Sequence, residues 1–164
     1  QMCIRDSTVY HAHGGFVIGS EFSGGMKNIV VRNNTFQGTD AGLRFKSAVK
    51  RGGKSENIYI DHIYMTDITG DAITFETTYF DNHVGAKQQA APVKQEFLPD
   101  FQDIHISNVY VRGCKNGIVA HGAEGMIHDI TIKDCNIFYN KNAKDIDAAC
   151  KITLENVNFS TFAK

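Results

Sequence analysis

Arg44 and Lys46 are separated by a single residue, Phe45, so in an extended segment both leave the same face. Lys50, Arg51 and Lys54 follow, and no acidic residue occurs from Ala41 to Ser55. A local basic patch on a near-neutral chain points to an anionic ligand. Arginine holds a carboxylate through two parallel hydrogen bonds, and lysine adds a point charge. A solvated charged face is the competing reading. His13 lies upstream, just before the segment Gly15–Gly19. A histidine beside a basic pair can orient or tune a reacting group near neutral pH. His11, Ala12 and His13 would also suit a metal, but no carboxylate or third histidine has supporting spacing, so no metal site is assigned. The remaining histidines, His62, His83, His105, His121 and His128, read as surface residues.

The elements that must position these groups are written in a repeat. Five segments align without gaps, beginning at Asn28, Asn57, Asp103, Asp129 and Lys151. The second position is always isoleucine: Ile29, Ile58, Ile104, Ile130 and Ile152. The fourth position is Val31, Ile60, Ile106, Ile132 or Leu154, and the ninth is Phe36, Met65, Val111, Ile137 or Phe159. The seventh is Asn34, Ile63, Val109, Cys135 or Val157. Alternation at period two means strand. The phase slips by one between the fourth and seventh positions, which marks a bend. Asn33, His62, Asn108, Asp134 and Asn156 stand there, and Asn and Asp tolerate the left-handed backbone a bend requires.

Repeat starts lie roughly twenty to thirty residues apart, except from Asn57 to Asp103. Strand-only units at that period define a β-solenoid. A third strand follows each bend, at Phe16–Ile18, Leu43–Phe45, Ile73–Phe75 and Ile118–Ala120. Three strands per coil describe an all-β, right-handed parallel β-helix. Two inward rows are expected, Phe16–Leu43–Ile73–Ile118 and Ile18–Phe45–Phe75–Ala120, with about 4.8 Å between coils. Arg44, Lys46, Thr74, Glu76 and His121 then face outward, and His13 sits one coil before Arg44. Cys135 falls in an inward row, as a small buried hydrophobe. A leucine-rich repeat needs L-x-x-L-x-L-x-x-N, which is absent. The long interval holds a loop insertion at about 78–102, with both prolines in it.

Composition narrows the function. The chain has 164 residues, 17 basic against 18 acidic, and a net charge of −1, which argues against nucleic-acid binding. No apolar run has the length of a membrane helix. Four cysteines show no C-x-x-C spacing, so neither a zinc site nor a redox dithiol is signalled, and no cofactor is expected. Met2–Ser7 resembles the translated adaptor remnant found at the ends of truncated metagenomic reading frames. Residues 1–7 are therefore set aside as non-native, and 8–164 read as the C-terminal coils of one β-helix domain truncated on its N-terminal side.

The segments His13–Gly25 (HGGFVIGSEFSGG) and Gly38–Lys46 (GTDAGLRFK) resemble the glycoside hydrolase family 28 polygalacturonases, most of all their bacterial exo-acting branch. The family signature runs Asn-Thr-Asp, Asp-Asp, His-Gly, Arg-x-Lys. The last two are present as His13-Gly14 and Arg44-Phe45-Lys46; the first two are absent and by family order belong upstream of Thr8. The resemblance implies hydrolysis of α-1,4-galacturonosidic bonds with inversion. It makes His13 a catalytic residue supporting the acid–base groups, and Arg44 and Lys46 the grip on a galacturonate carboxylate. Tyr79 is a further substrate-binding candidate, offering a ring or hydroxyl to a sugar. The implied partner is polygalacturonate or pectin oligosaccharide, with a monomeric, extracytoplasmic parent and an inactive isolated fragment. A non-catalytic β-helix that binds acidic polysaccharide is the alternative, and a rhamnogalacturonan hydrolase of the same fold is a third reading.

Overall fold

The period-two segments form strands, and every ladder between them is parallel. The computed structural model describes residues 1–49, 51–78 and 98–162. Its strands are β1 (Met2–Arg5), β2 (Thr8–Tyr10), β3 (Gly14–Ile18), β4 (Met26–Gln37) and β5 (Ala41–Lys46), then β6 (Lys54–Glu76), β7 (Asp100–Phe101), β8 (Ile104–His121), β9 (Ile130–Ile146) and β10 (Ile152–Thr161). Successive turns of chain lie on one another in the order β1, β4, β6, β8, β9, β10, while β3 pairs with β5 and β5 with the end of β6. The molecule is a right-handed parallel β-helix, the hand that parallel crossovers take.

The expected rows form in register. The second position runs Ile29–Ile58–Ile104–Ile130–Ile152 and the fourth Val31–Ile60–Ile106–Ile132–Leu154. On the third face, Phe16–Leu43–Ile73–Ile118 and Ile18–Phe45–Phe75–Ala120 are continuous. The first of these ends on exposed Lys144, so the apolar ladder stops there. Phe45 stacks on Phe75 at 4.5 Å between centroids and meets Phe16 and Phe101 edge-on. Cys135 is fully buried, and burial pushes its thiol up to about 11.

The corners are left-handed. Asn33, His62, Asn108, Asp134 and Asn156 have φ between 50° and 55°. A second corner, not singled out in the sequence, stands at Asn28, Asn57, Asp103 and Asp129, and a third at His11, Gly38, Asp67 and Gly113. One seventh-position residue, Asn34, is polar yet buried. Its side chain accepts from the Ser7 backbone N–H and donates to the Ile4 carbonyl, both in the preceding coil, so burial leaves it satisfied.

Ladders form in the segment set aside as non-native and in part of the stretch read as an insertion loop. Met2–Arg5 is β1, with Met2 opposite Ile29 and Ile4 opposite Val31, and Asp6 takes the same left-handed corner as Asn33. Within the stretch read as an insertion loop, Asp100–Phe101 pairs with Lys54–Ser55, and Phe101 is fully buried against Phe22, Phe45 and Phe75.

Phe45 is the shared packing partner on the third face. Phe45→Ala should lower unfolding stability by about 3–5 kcal/mol, the range for emptying a buried aromatic site. Urea denaturation of the two chains measures it.

Candidate active site

The third-strand face carries the chemistry because its inward rows fix which residues point out. With Phe16 opposite Leu43, Val17 lies opposite Arg44, and Arg44 opposite Thr74. Lys46 lies opposite Glu76, and Glu76 opposite His121. Gly42 lets β5 sit hard against its neighbours: a Cβ there would lie 2.4 Å from both the Ala72 carbonyl oxygen and the Met65 sulfur. A side chain at 42 would therefore displace the strand that presents Arg44.

The structure joins His13 to Arg44. Arg44 Nη1 donates to His13 Nε2 at 2.8 Å, and His13 Nδ1 lies 3.0 Å from Asp40 Oδ2. Asp40 also accepts from the Thr69 hydroxyl at 3.2 Å. Its backbone N–H donates to the Ala12 carbonyl, which holds the two coils together at this point. The His13 hydrogen bond, followed by that of Thr69, holds the Asp40 carboxyl below its ordinary value.

Spacing along the chain does not single out Asp40. Its signal was available: setting His13-Gly-Gly-Phe over Asp40-Ala-Gly-Leu without gaps, as the inward row requires, puts the carboxylate beside the imidazole.

The basic patch is narrower in space than along the chain. Arg51 pairs with Glu21, and Lys54 with Glu56 at 2.9 Å. Lys50 and Tyr79 lie outside the described residues. Arg44 and Lys46 are the basic residues of β5, opposite Thr74 and Glu76 of the next coil. A groove of about 200 Å³ beside Arg44 is bordered by Asp40 of its own coil and by Asp71, Thr74 and Glu76 of the following one. On the other side stands Val17, 41% exposed and uncharged. An anion therefore meets Arg44 with least repulsion from the Val17 side.

Three histidines read as surface residues, His105, His121 and His128, are partly buried, the last two each beside two carboxylates. His121 is partly buried, its ring nitrogens 3.5 and 3.4 Å from Asp145 and Asp147. His128 is partly buried between Asp129 at 2.7 Å and Asp100 at 3.1 Å. Asp145 and Asp147 reach His121, and Asp100 reaches His128, from more than twenty residues away, which a reading along the chain does not reveal. Among the described residues, no group of three or more His, Cys, Asp or Glu could hold a metal ion.

The structure is a parallel β-helix that carries an arginine, a lysine and a histidine on one outer sheet. Residues 1–156 match the family model for glycosyl hydrolases family 28, and the chain belongs to that family. It is 27% identical over 150 residues to a polygalacturonase of Ralstonia nicotianae, covering 85% of this chain and 26% of that protein. It is 30% identical over 102 residues to an exo-poly-alpha-D-galacturonosidase of Dickeya chrysanthemi, covering 62% of this chain and 16% of that protein. The chain thus spans about a quarter or less of the length of these curated relatives. Among solved structures it superposes on a hyperthermoactive exopolygalacturonase from Thermotoga maritima with a TM-score of 0.81 and 30% identity, over 96% of this chain and 34% of that one.

The bonds Asp40 accepts stabilise its ionised form, so they are present above its ordinary titration range. They are lost only as pH falls through its lowered value. Carbon-13 titration of the Asp40 carboxyl should give a midpoint below that of a free aspartate, and Thr69→Val should move it upward.

Proposed function

We propose that the parent of this chain is an extracytoplasmic, monomeric, pectin-degrading hydrolase. It removes galacturonate units from chain ends by inverting cleavage of α-1,4 bonds. The observation that carries this reading is the 2.8 Å contact between Arg44 and His13, which brings the His-Gly and Arg-x-Lys motifs together on one outer sheet. Family membership and likeness to proteins named as exo-acting support the substrate class and the exo mode.

Each residue's role follows from its chemistry. Arg44 offers paired N–H donors to a galacturonate carboxylate, and Lys46 adds attraction without a fixed plane. His13 Nε2 already accepts a hydrogen bond from Arg44, so His13 aims the guanidinium instead of activating water. The proton-transfer work belongs to two carboxyl groups on the preceding coils, held about 6.5–9.5 Å apart with a water between them. Stacked parallel strands about 4.8 Å apart place such groups naturally, on adjacent or alternate coils. The uncharged Val17 side of Arg44 fits a substrate that approaches from those coils.

The test joins this chain in frame to the coils encoded upstream in the source DNA and assays both forms on polygalacturonate. The joined protein should release mainly one short product at early times, and the 164-residue chain alone should release no reducing sugar. A ladder of mixed oligomers would overturn the exo mode. No hydrolysis by a joined, folded protein would leave a polysaccharide-binding β-helix.

A further inference from the structure

The bonds around His13 agree on one protonation pattern. A guanidinium is a donor only, so the nitrogen that meets Arg44 Nη1 at 2.8 Å must be an unprotonated acceptor. An ionised carboxylate is an acceptor only, so the nitrogen that meets Asp40 at 3.0 Å must carry the proton. The ring is therefore neutral, with its hydrogen on Nδ1. Moving the proton to Nε2 would set two N–H donors against each other at Arg44 and leave a lone pair facing a carboxylate.

Asp40 is built to impose this. Its register position faces His13, because Gly14 lies opposite Ala41. Its second oxygen is held by Thr69 from the following coil. Arg44 donates to His13, His13 to Asp40, and Thr69 to Asp40, so the whole chain of bonds ends on one carboxylate spanning three coils. The side chains of His13 and Asp40 are 74% and 63% exposed. Packing therefore does not fix the ring, and the hydrogen bonds must.

We propose that Asp40 is a positioning residue: it holds His13 in the Nδ1–H tautomer, so that Nε2 anchors the Arg44 guanidinium in the plane that meets a carboxylate ligand. The identity of that ligand rests on the function proposed above; the positioning itself does not. The arrangement separates two tasks. One edge of the guanidinium is held by the protein, and its remaining donors stay available for a planar anion. An arginine free to swing would lose part of its binding free energy to ordering.

The test reads the tautomer directly, on the 164-residue chain, with no dependence on catalysis. Long-range proton–nitrogen correlation spectra of histidine-labelled protein distinguish Nδ1–H from Nε2–H, and a His13→Gln variant assigns the signal. The spectra are recorded at about pH 8.5, some two units above the ordinary imidazole pKa of about 6.5, to keep neutral rings. The wild-type chain should show His13 as Nδ1–H. Asp40→Asn retains an amide oxygen acceptor and should preserve that form. Asp40→Ala removes the acceptor and should convert His13 to mainly Nε2–H, with the His105 and His128 signals unmoved as the check on folding. Nε2–H in the wild-type chain, or Nδ1–H persisting in a folded Asp40→Ala chain, would overturn the proposal. If Asp40→Ala does not fold, the wild-type tautomer and the Asp40→Asn spectrum decide.

Discussion

Every coil of this solenoid has to turn corners with a left-handed backbone, and the register of everything else depends on where those corners fall. A left-handed residue costs about 1–2 kcal/mol for most side chains, so the positions are restricted. Twelve non-glycine residues among those described adopt it, and all are Asn, Asp or His. Because equivalent corners lie opposite one another, each strand enters its face at the same phase as the strand before. The apolar rows close in register, even across the long interval between Asn57 and Asp103. The same register places His13 opposite Asp40 and Val17 opposite Arg44. The site is thus a by-product of coil geometry. Among the described residues, coil register alone brings those side chains together.

Much of this was legible in the residues. An isoleucine at the second place of five segments, a phase slip at a fixed point, and Asn, Asp or His at that point mark the solenoid, the inward rows and one of the three corners. Arg44 and Lys46 came out on the outer face because Phe45 had to go in. What was missed has a common physical cause. A reading along the chain counts neighbours in sequence, whereas the neighbours that matter in stacked coils are tens of residues away. The stretch Ala41–Ser55 looks purely basic, yet Glu21 pairs with Arg51 from the preceding coil and Glu76 lies opposite Lys46 in the following one. Asn34 looks like a defect in its row until the Ser7 N–H and the Ile4 carbonyl are brought beside it. Asp40 belongs to the same class, and so do Asp145 and Asp147 beside His121 and Asp100 beside His128.

The electrostatics of the face follow from its layering. Exposed ion pairs contribute little to stability, so the chain from Thr69 through Asp40 and His13 to Arg44 is best understood as geometric control. Stability resides beneath it, in the stacked rings of Phe45 and Phe75 and the aliphatic rows. The two layers are coupled through β5, whose alternate residues serve one and then the other. Leu43 and Phe45 are buried beneath the strand that presents Arg44, whereas Asp40 is exposed.

The central claim is that Arg44, held by the coil register and by His13, is the carboxylate grip of this face. Calorimetric titration of trigalacturonate into the chain, at low ionic strength, tests it most directly. Arg44→Ala is compared with Arg32→Ala, which removes the same charge from an exposed position in β4 away from the third-strand face. Arg32→Ala should bind as the unaltered chain does, and Arg44→Ala should bind at least about tenfold more weakly, a loss of about 1.4 kcal/mol. Equal losses in the two variants would mean that net charge alone attracts the ligand, and would contradict the account.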